Sequence, residues 1–118
     1  MGATIIEKII QRNTGISDAK ANDIVTVQVD RVMIHDIFIP FVAEKFEEMG
    51  FHKIWDPDKA VLIYDHLVPA SQVDDTRHFH IGDEFVTKYG MKNIHRSDGI
   101  CHQLMTEAGY VKPGNIVF

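Results

Sequence analysis

Apolar positions recur along this chain with a helical period in some stretches and a strand period in others, and the changes of period mark out the elements. Ile5, Ile6, Ile9 and Ile10 follow Thr4 at helical spacing. The Thr4 hydroxyl and the Glu7 carboxylate have the spacing of a capping box, each able to satisfy a free backbone N–H, so a helix starts here with the isoleucines as its buried stripe. Residues 13–15 end it. Val25, Val27 and Val29 then alternate with Thr26, Gln28 and Asp30, which predicts a strand over 24–30 with one wet face. Pro40 in a first turn, Phe41, Val42, Phe46 and Met49 at helical spacing, and Gly50 as a stop predict a helix over 40–49. Ala60 to Tyr64 is short, continuous and apolar, as a strand buried on both faces must be. Ile81, Phe85 and Tyr89, four apart before Gly90, place a helix over 73–89. Residues 92–95 are a short strand candidate, 100–108 a helix closed by Gly109, and Pro113-Gly114 a turn into a last strand at 115–118.

Strands alternating with helices of this length predict an α/β class with a largely parallel sheet. The 118 residues fit one domain, with no repeat or linker to divide them. Twelve Lys and Arg against seventeen Asp and Glu leave a formal charge of -5, which argues against a nucleic-acid partner held through phosphates. No apolar run approaches the roughly 20 residues a bilayer requires, so no membrane role is expected. Glu7 and Lys8 fall where a secretion signal needs apolar residues, and the single cysteine, Cys101, cannot form an internal disulfide. Both point to the cytoplasm. The chain stops on Ile116-Val117-Phe118, apolar strand residues where termini are usually polar, which predicts a chain cut within its sheet.

Ligands of open α/β sheets lie beyond the carboxyl ends of the strands, and Asp65-His66 directly follows the most buried strand. An Asp beside a His can orient the ring and make it a poised acid, although neighbours on an extended chain point apart. The alternative is that Asp65 caps a turn and His66 lies on the surface. His35-Asp36 precedes a helix and could line the same mouth, with Asp36 better explained as a helix cap. His102 falls in the first turn of a helix, where free N–H groups favour an anion such as a substrate carboxylate; the other reading is a half-buried ring bonded to a carbonyl. His78 and His80 diverge on a helix, and no third ligand completes a metal site. Cys101 beside His102 resembles a nucleophile pair, but no supporting acid is identifiable and a free cysteine is usually a small buried residue. A phosphate-binding glycine loop and Gly-x-Ser-x-Gly are both missing.

Six collinear stretches carry a family resemblance: Thr4-Ile5-Ile6-Glu7-Lys8-Ile9-Ile10, Val29-Asp30-Arg31-Val32-Met33-Ile34-His35-Asp36, Phe46-Glu47-Glu48-Met49-Gly50, Trp55-Asp56-Pro57-Asp58-Lys59, Asp65-His66-Leu67-Val68-Pro69 and Gly99-Ile100-Cys101-His102-Gln103. Together they resemble the N-terminal part of the aconitase superfamily, on its isopropylmalate dehydratase large-subunit branch. The resemblance implies an incomplete aconitase-type domain and a hydro-lyase that moves water across adjacent carbons of a small hydroxy-carboxylic acid. It implies a 4Fe–4S cluster as Lewis acid and a separate small subunit as partner. By the same resemblance His66 protonates the departing hydroxyl, Asp65 pairs with a catalytic His, and His102 is a second active-site His. His35 stands where aconitase has a substrate-contacting Gln, a departure that favours the isopropylmalate branch. The family's Asp-Ser-His-Thr segment and cluster cysteines are not among these residues, and Cys101 matches no cluster position.

The expectation is therefore an N-terminal fragment, 1–118, of a cluster-dependent hydro-lyase, inactive alone. The competing one is a non-catalytic α/β assembly module that complements a separately encoded remainder, motivated by an unpaired apolar edge at 115–118.

Overall fold

The structure, a computed structural model, describes residues 2–118. Its elements are α1 (Ile5–Thr14), β1 (Val32–His35), α2 (Ile39–Glu48), β2 (Ala60–Ile63), α3 (Asp75–Tyr89), β3 (Asn93–His95) and α4 (Cys101–Glu107). The strands form one parallel sheet in the order β1-β2-β3, with Ile34 beside Leu62 and Leu62 beside Ile94. This is the α/β class that the alternation of elements predicts. No helix among the described residues is long and apolar enough to cross a membrane.

β2 is buried at all four positions because it is central in the sheet and covered on both faces. Ala60 and Leu62 join Ile34, Ile39, Phe85, Tyr89 and Met91 beneath α2 and α3. Val61 and Ile63 face the other way and meet Cys101 and Met105 of α4. Successive strand residues point to opposite faces, so both faces of a central strand need apolar side chains and the run must be continuous.

Local signals set the helix ends. Thr4 Oγ1 accepts from Glu7 N at 3.2 Å and Glu7 Oε2 accepts from Thr4 N at 2.7 Å, completing the capping box. Gly15 and Gly90 close α1 and α3 in the left-handed conformation, at φ 75° and 68°.

Three expectations are corrected. The α1 stripe is not buried: Ile5 and Ile6 are 76% and 66% exposed, because α1 does not lie on the sheet. It holds the segment that follows it, through Gln11 to the Ala19 carbonyl at 2.8 Å and through Asn13. Residues 24–30 are not a strand. The alternation is real, with Val25, Val27 and Val29 half-buried and Thr26 and Gln28 exposed, but no neighbouring strand pairs with 24–29 among the described residues. Asn13 takes the place of a strand there, accepting from Gln28 N at 2.7 Å and donating to Gln28 O at 2.8 Å. The third correction is at 115–118, which forms a single parallel bridge, Arg31 to Val117, rather than a full strand. Phe118 N donates to Arg31 O at 3.0 Å and Met33 N to Phe118 O at 2.8 Å, so this short segment lies along the outer edge of β1.

Candidate active site

Parallel strands end on the same edge of a sheet, and the chain places histidines there repeatedly. β1 ends on His35, Asp65-His66 lies just past β2, β3 ends on His95, and His102 occupies the first turn of α4. A recess of about 230 Å³ opens at this edge, lined by Tyr64, Asp65, Val68, Ser97, Gly99 and Ile100. Neither this recess nor a larger one of about 450 Å³ between α2 and α3 has a histidine in its lining.

Asp65 and His66 do not point apart. The chain has left the strand by this point, and Asp65 Oδ1 lies 2.6 Å from His66 Nδ1. A carboxylate can only accept, so Nδ1 carries the proton and Nε2 is left for chemistry. The His66 side chain is 41% exposed, which leaves that nitrogen approachable. Asp65 Oδ2 accepts from Cys101 N at 2.6 Å. One carboxylate therefore orients the imidazole and also supplies the anion at the start of α4, where a substrate carboxylate was expected. Burial raises the Asp65 pKa, but the bonds from Cys101 and His66 outweigh it and hold the group below its ordinary value.

The His35 ring stacks on His66 at 4.1 Å between centroids and 24° between planes, and Phe38 meets it in a T-shaped arrangement at 4.8 Å. Its Nδ1 is buried without a hydrogen-bond partner, and Asp36 Oδ1 is 4.0 Å away. Burial, then the charge of His66 and to a smaller extent that of His102, push the His35 pKa down against the pull of Asp36 and Asp65. His35 is thus biased toward its neutral form. His102 is exposed, not half-buried, and is near enough for its charge to be felt at His35.

Asp36 is not the helix cap that its position suggested. The N-cap of α2 is Phe38, with no side-chain cap, and the Asp36 carboxylate is fully buried. It accepts from Ile37 N at 3.1 Å, His66 N at 3.2 Å and Leu67 N at 2.8 Å. His95 also went unnoticed in the sequence: its Nδ1 bonds Asp98 at 2.7 Å and its Nε2 bonds the Tyr110 hydroxyl at 2.8 Å. Its place at a strand end, equivalent to that of His35, is the signal that could have found it. His78 and His80 go separate ways, His78 Nδ1 donating to the Asp36 carbonyl at 3.0 Å while His80 is exposed.

Two groups bring potential metal donors within 4.8 Å of one another, His35 with Asp36 and His66, and Asp65 with His66 and Cys101. The two carboxylates in these groups already accept hydrogen bonds. Asp36 holds three backbone N–H groups, and Asp65 holds His66 and Cys101. Burial, reinforced by Asp65, pushes the Cys101 thiol up to about 11. An iron–sulfur cluster needs several thiolates, and these residues supply one buried cysteine, so they do not by themselves form such a shell.

The Aconitase family (aconitate hydratase) matches residues 7–118. The 3-isopropylmalate dehydratase large subunit 1 of Methanopyrus kandleri is 42% identical over 118 residues, covering 99% of this chain and 28% of that protein. The 3-isopropylmalate dehydratase large subunit of Methanoregula boonei is 38% identical over 117 residues, with 99% and 28% covered. The methanogen homoaconitase large subunit of Methanocaldococcus jannaschii is 37% identical over 115 residues, with 97% and 27% covered. The chain spans little more than a quarter of the length of these relatives. With nearly all of its residues matched in this way, the chain belongs to the aconitase family.

Proposed function

We propose that these residues form the N-terminal part of the iron–sulfur domain of a hydro-lyase, and that they supply acid–base groups to its active site. The substrate class is a small hydroxy di- or tricarboxylic acid of the isopropylmalate type, after the names of the relatives. The observation that carries this reading is the Asp65–His66 contact of 2.6 Å at the carboxyl end of β2, with Nε2 left free.

In the dehydration direction, the His66 imidazolium donates its Nε2 proton to the departing hydroxyl, which leaves as water, while a base from outside these residues takes the proton of the adjacent carbon and that C–H electron pair becomes the new double bond. In the reverse direction the neutral ring takes that proton back from water. Asp65 fixes the ring through Nδ1. His35, stacked on His66 with its pKa lowered by burial, is a wall that contacts substrate. His102 acts as the second histidine of the site. A 4Fe–4S cluster supplies Lewis-acid chemistry in the family, and on this reading its ligands and a small subunit come from outside these 118 residues. The enzyme works in the cytoplasm, and the 118 residues alone have no turnover.

The test is His66→Ala in the assembled, cluster-loaded holoenzyme. General acid catalysis contributes roughly 10²- to 10⁴-fold, so kcat should fall by that order. A variant that kept kcat within about twofold would remove His66 from the acid role.

A further inference from the structure

We infer that Asp36 is the positioning residue for the His66 acid, a conclusion that rests on the hydro-lyase reading above. A fully buried carboxylate is costly unless its oxygens are bonded, and the bonds that satisfy this one show what it holds. Two of its three N–H partners, His66 and Leu67, belong to the segment that carries the acid, 30 and 31 residues further along the chain. Only Ile37 is local. A cap of α2 would instead have bonded the free N–H groups of that helix's first turn.

The rest of the residue is anchored as firmly. Its backbone N donates to the Ile63 carbonyl at 3.1 Å, which ties it to the end of β2. Its carbonyl accepts from His78 Nδ1 at 3.0 Å, which ties it to α3. Asp36 is thus fixed to two elements and transmits that fixity to the main chain of residues 66 and 67. Its Oδ1 also lies 3.6 Å from His66 Nδ1, on which Asp65 closes to 2.6 Å, so a second carboxylate faces the ring. Because Asp36 is 0% exposed it cannot touch substrate, and its effect on turnover must pass through His66.

The experiment is Asp36→Asn in the assembled holoenzyme, with kinetics and a crystal structure. The amide keeps the shape but loses the charge and one acceptor oxygen. Misplacement of a catalytic group by about 1 Å costs on the order of 10²-fold, so kcat should fall at least about 30-fold while KM changes less than about threefold. The crystal structure should show the Asp65–His66 contact lengthened beyond hydrogen-bonding distance. A merely structural role would lower the melting temperature and leave kcat and that contact unchanged, and that result overturns the inference. So does a soluble variant whose whole loss lies in KM. If the Asn variant does not fold, Asp36→Glu keeps the charge one methylene further out and is read in the same way: reduced kcat with KM retained supports the inference, and unchanged kcat overturns it. His66→Ala separates the two readings. If it leaves kcat intact the acid assignment itself fails, whereas its inactivity beside fully active Asp36 variants sinks only the positioning role.

Discussion

Gly82 sits in the interior of α3, where glycine costs about 1 kcal/mol relative to alanine. Its neighbour explains the choice. A Cβ at this position would overlap the Tyr64 hydroxyl, which donates to Asp83 Oδ1 at 2.8 Å, and Arg96 Nη1 donates to the same oxygen at 2.6 Å. Burial, then Asp83, raises the Tyr64 pKa, so the phenol remains a donor throughout the working pH range. Gly82→Ala should therefore destabilise the protein by about 1–3 kcal/mol despite the better helix former. Adding Tyr64→Phe removes the obstructing oxygen and should recover part of that loss. Denaturant melts of the two single variants and the double variant measure the coupling, and additive losses would show that the hydroxyl is not the obstruction.

Among the elements, those set by neighbouring residues were legible and those set by distant ones were not. The Thr4–Glu7 box, Pro40, and Gly15 and Gly90 act within a turn, so the helices were found within a residue or two. Period two describes an extended chain but does not say whether another strand lies alongside, and so the pattern at 24–30 predicts a strand while the ladder starts at Val32. The candidate site divides in the same way. Asp65, His66 and His35 follow from the rule that ligands collect at strand ends, whereas the work of Asp36 depends on partners 30 and 31 residues away. The extended arm also gives a prediction. Asn13 makes both main-chain bonds that a strand would have made at Gln28, so Asn13→Ala should speed exchange of the Gln28 amide about tenfold or more in hydrogen-exchange measurements. Unchanged protection would mean that something other than Asn13 holds the arm.

At the scale of the whole molecule, the radius of gyration is 16.7 Å, against about 13.5 Å for a compact chain of this length. The excess fits an α1 that stands clear of the sheet. Acid should destabilise this molecule in two stages. His35 has a folded pKa below its ordinary 6.5, so the unfolded chain binds more protons, and stability falls as pH drops from about 6.5 through the lower folded value. Asp65 has a folded pKa below 3.8, so its contribution is present above that value and is lost as pH falls through the folded one. Urea melts from pH 7.5 to 5 should show the upper stage, and His35→Gln should flatten it while leaving the lower stage in place. If the slope survives the substitution, it belongs to another group.

Cys101 ties the site to something easily observed. The only thiol in the sequence is fully buried at the first residue of α4, the helix that carries His102, and its amide is bonded to the same Asp65 that orients His66. A maleimide reagent can reach it only when α4 lifts from the sheet. The labelling rate of one sulfur atom is therefore a clock for how often the two histidines lose their common anchor.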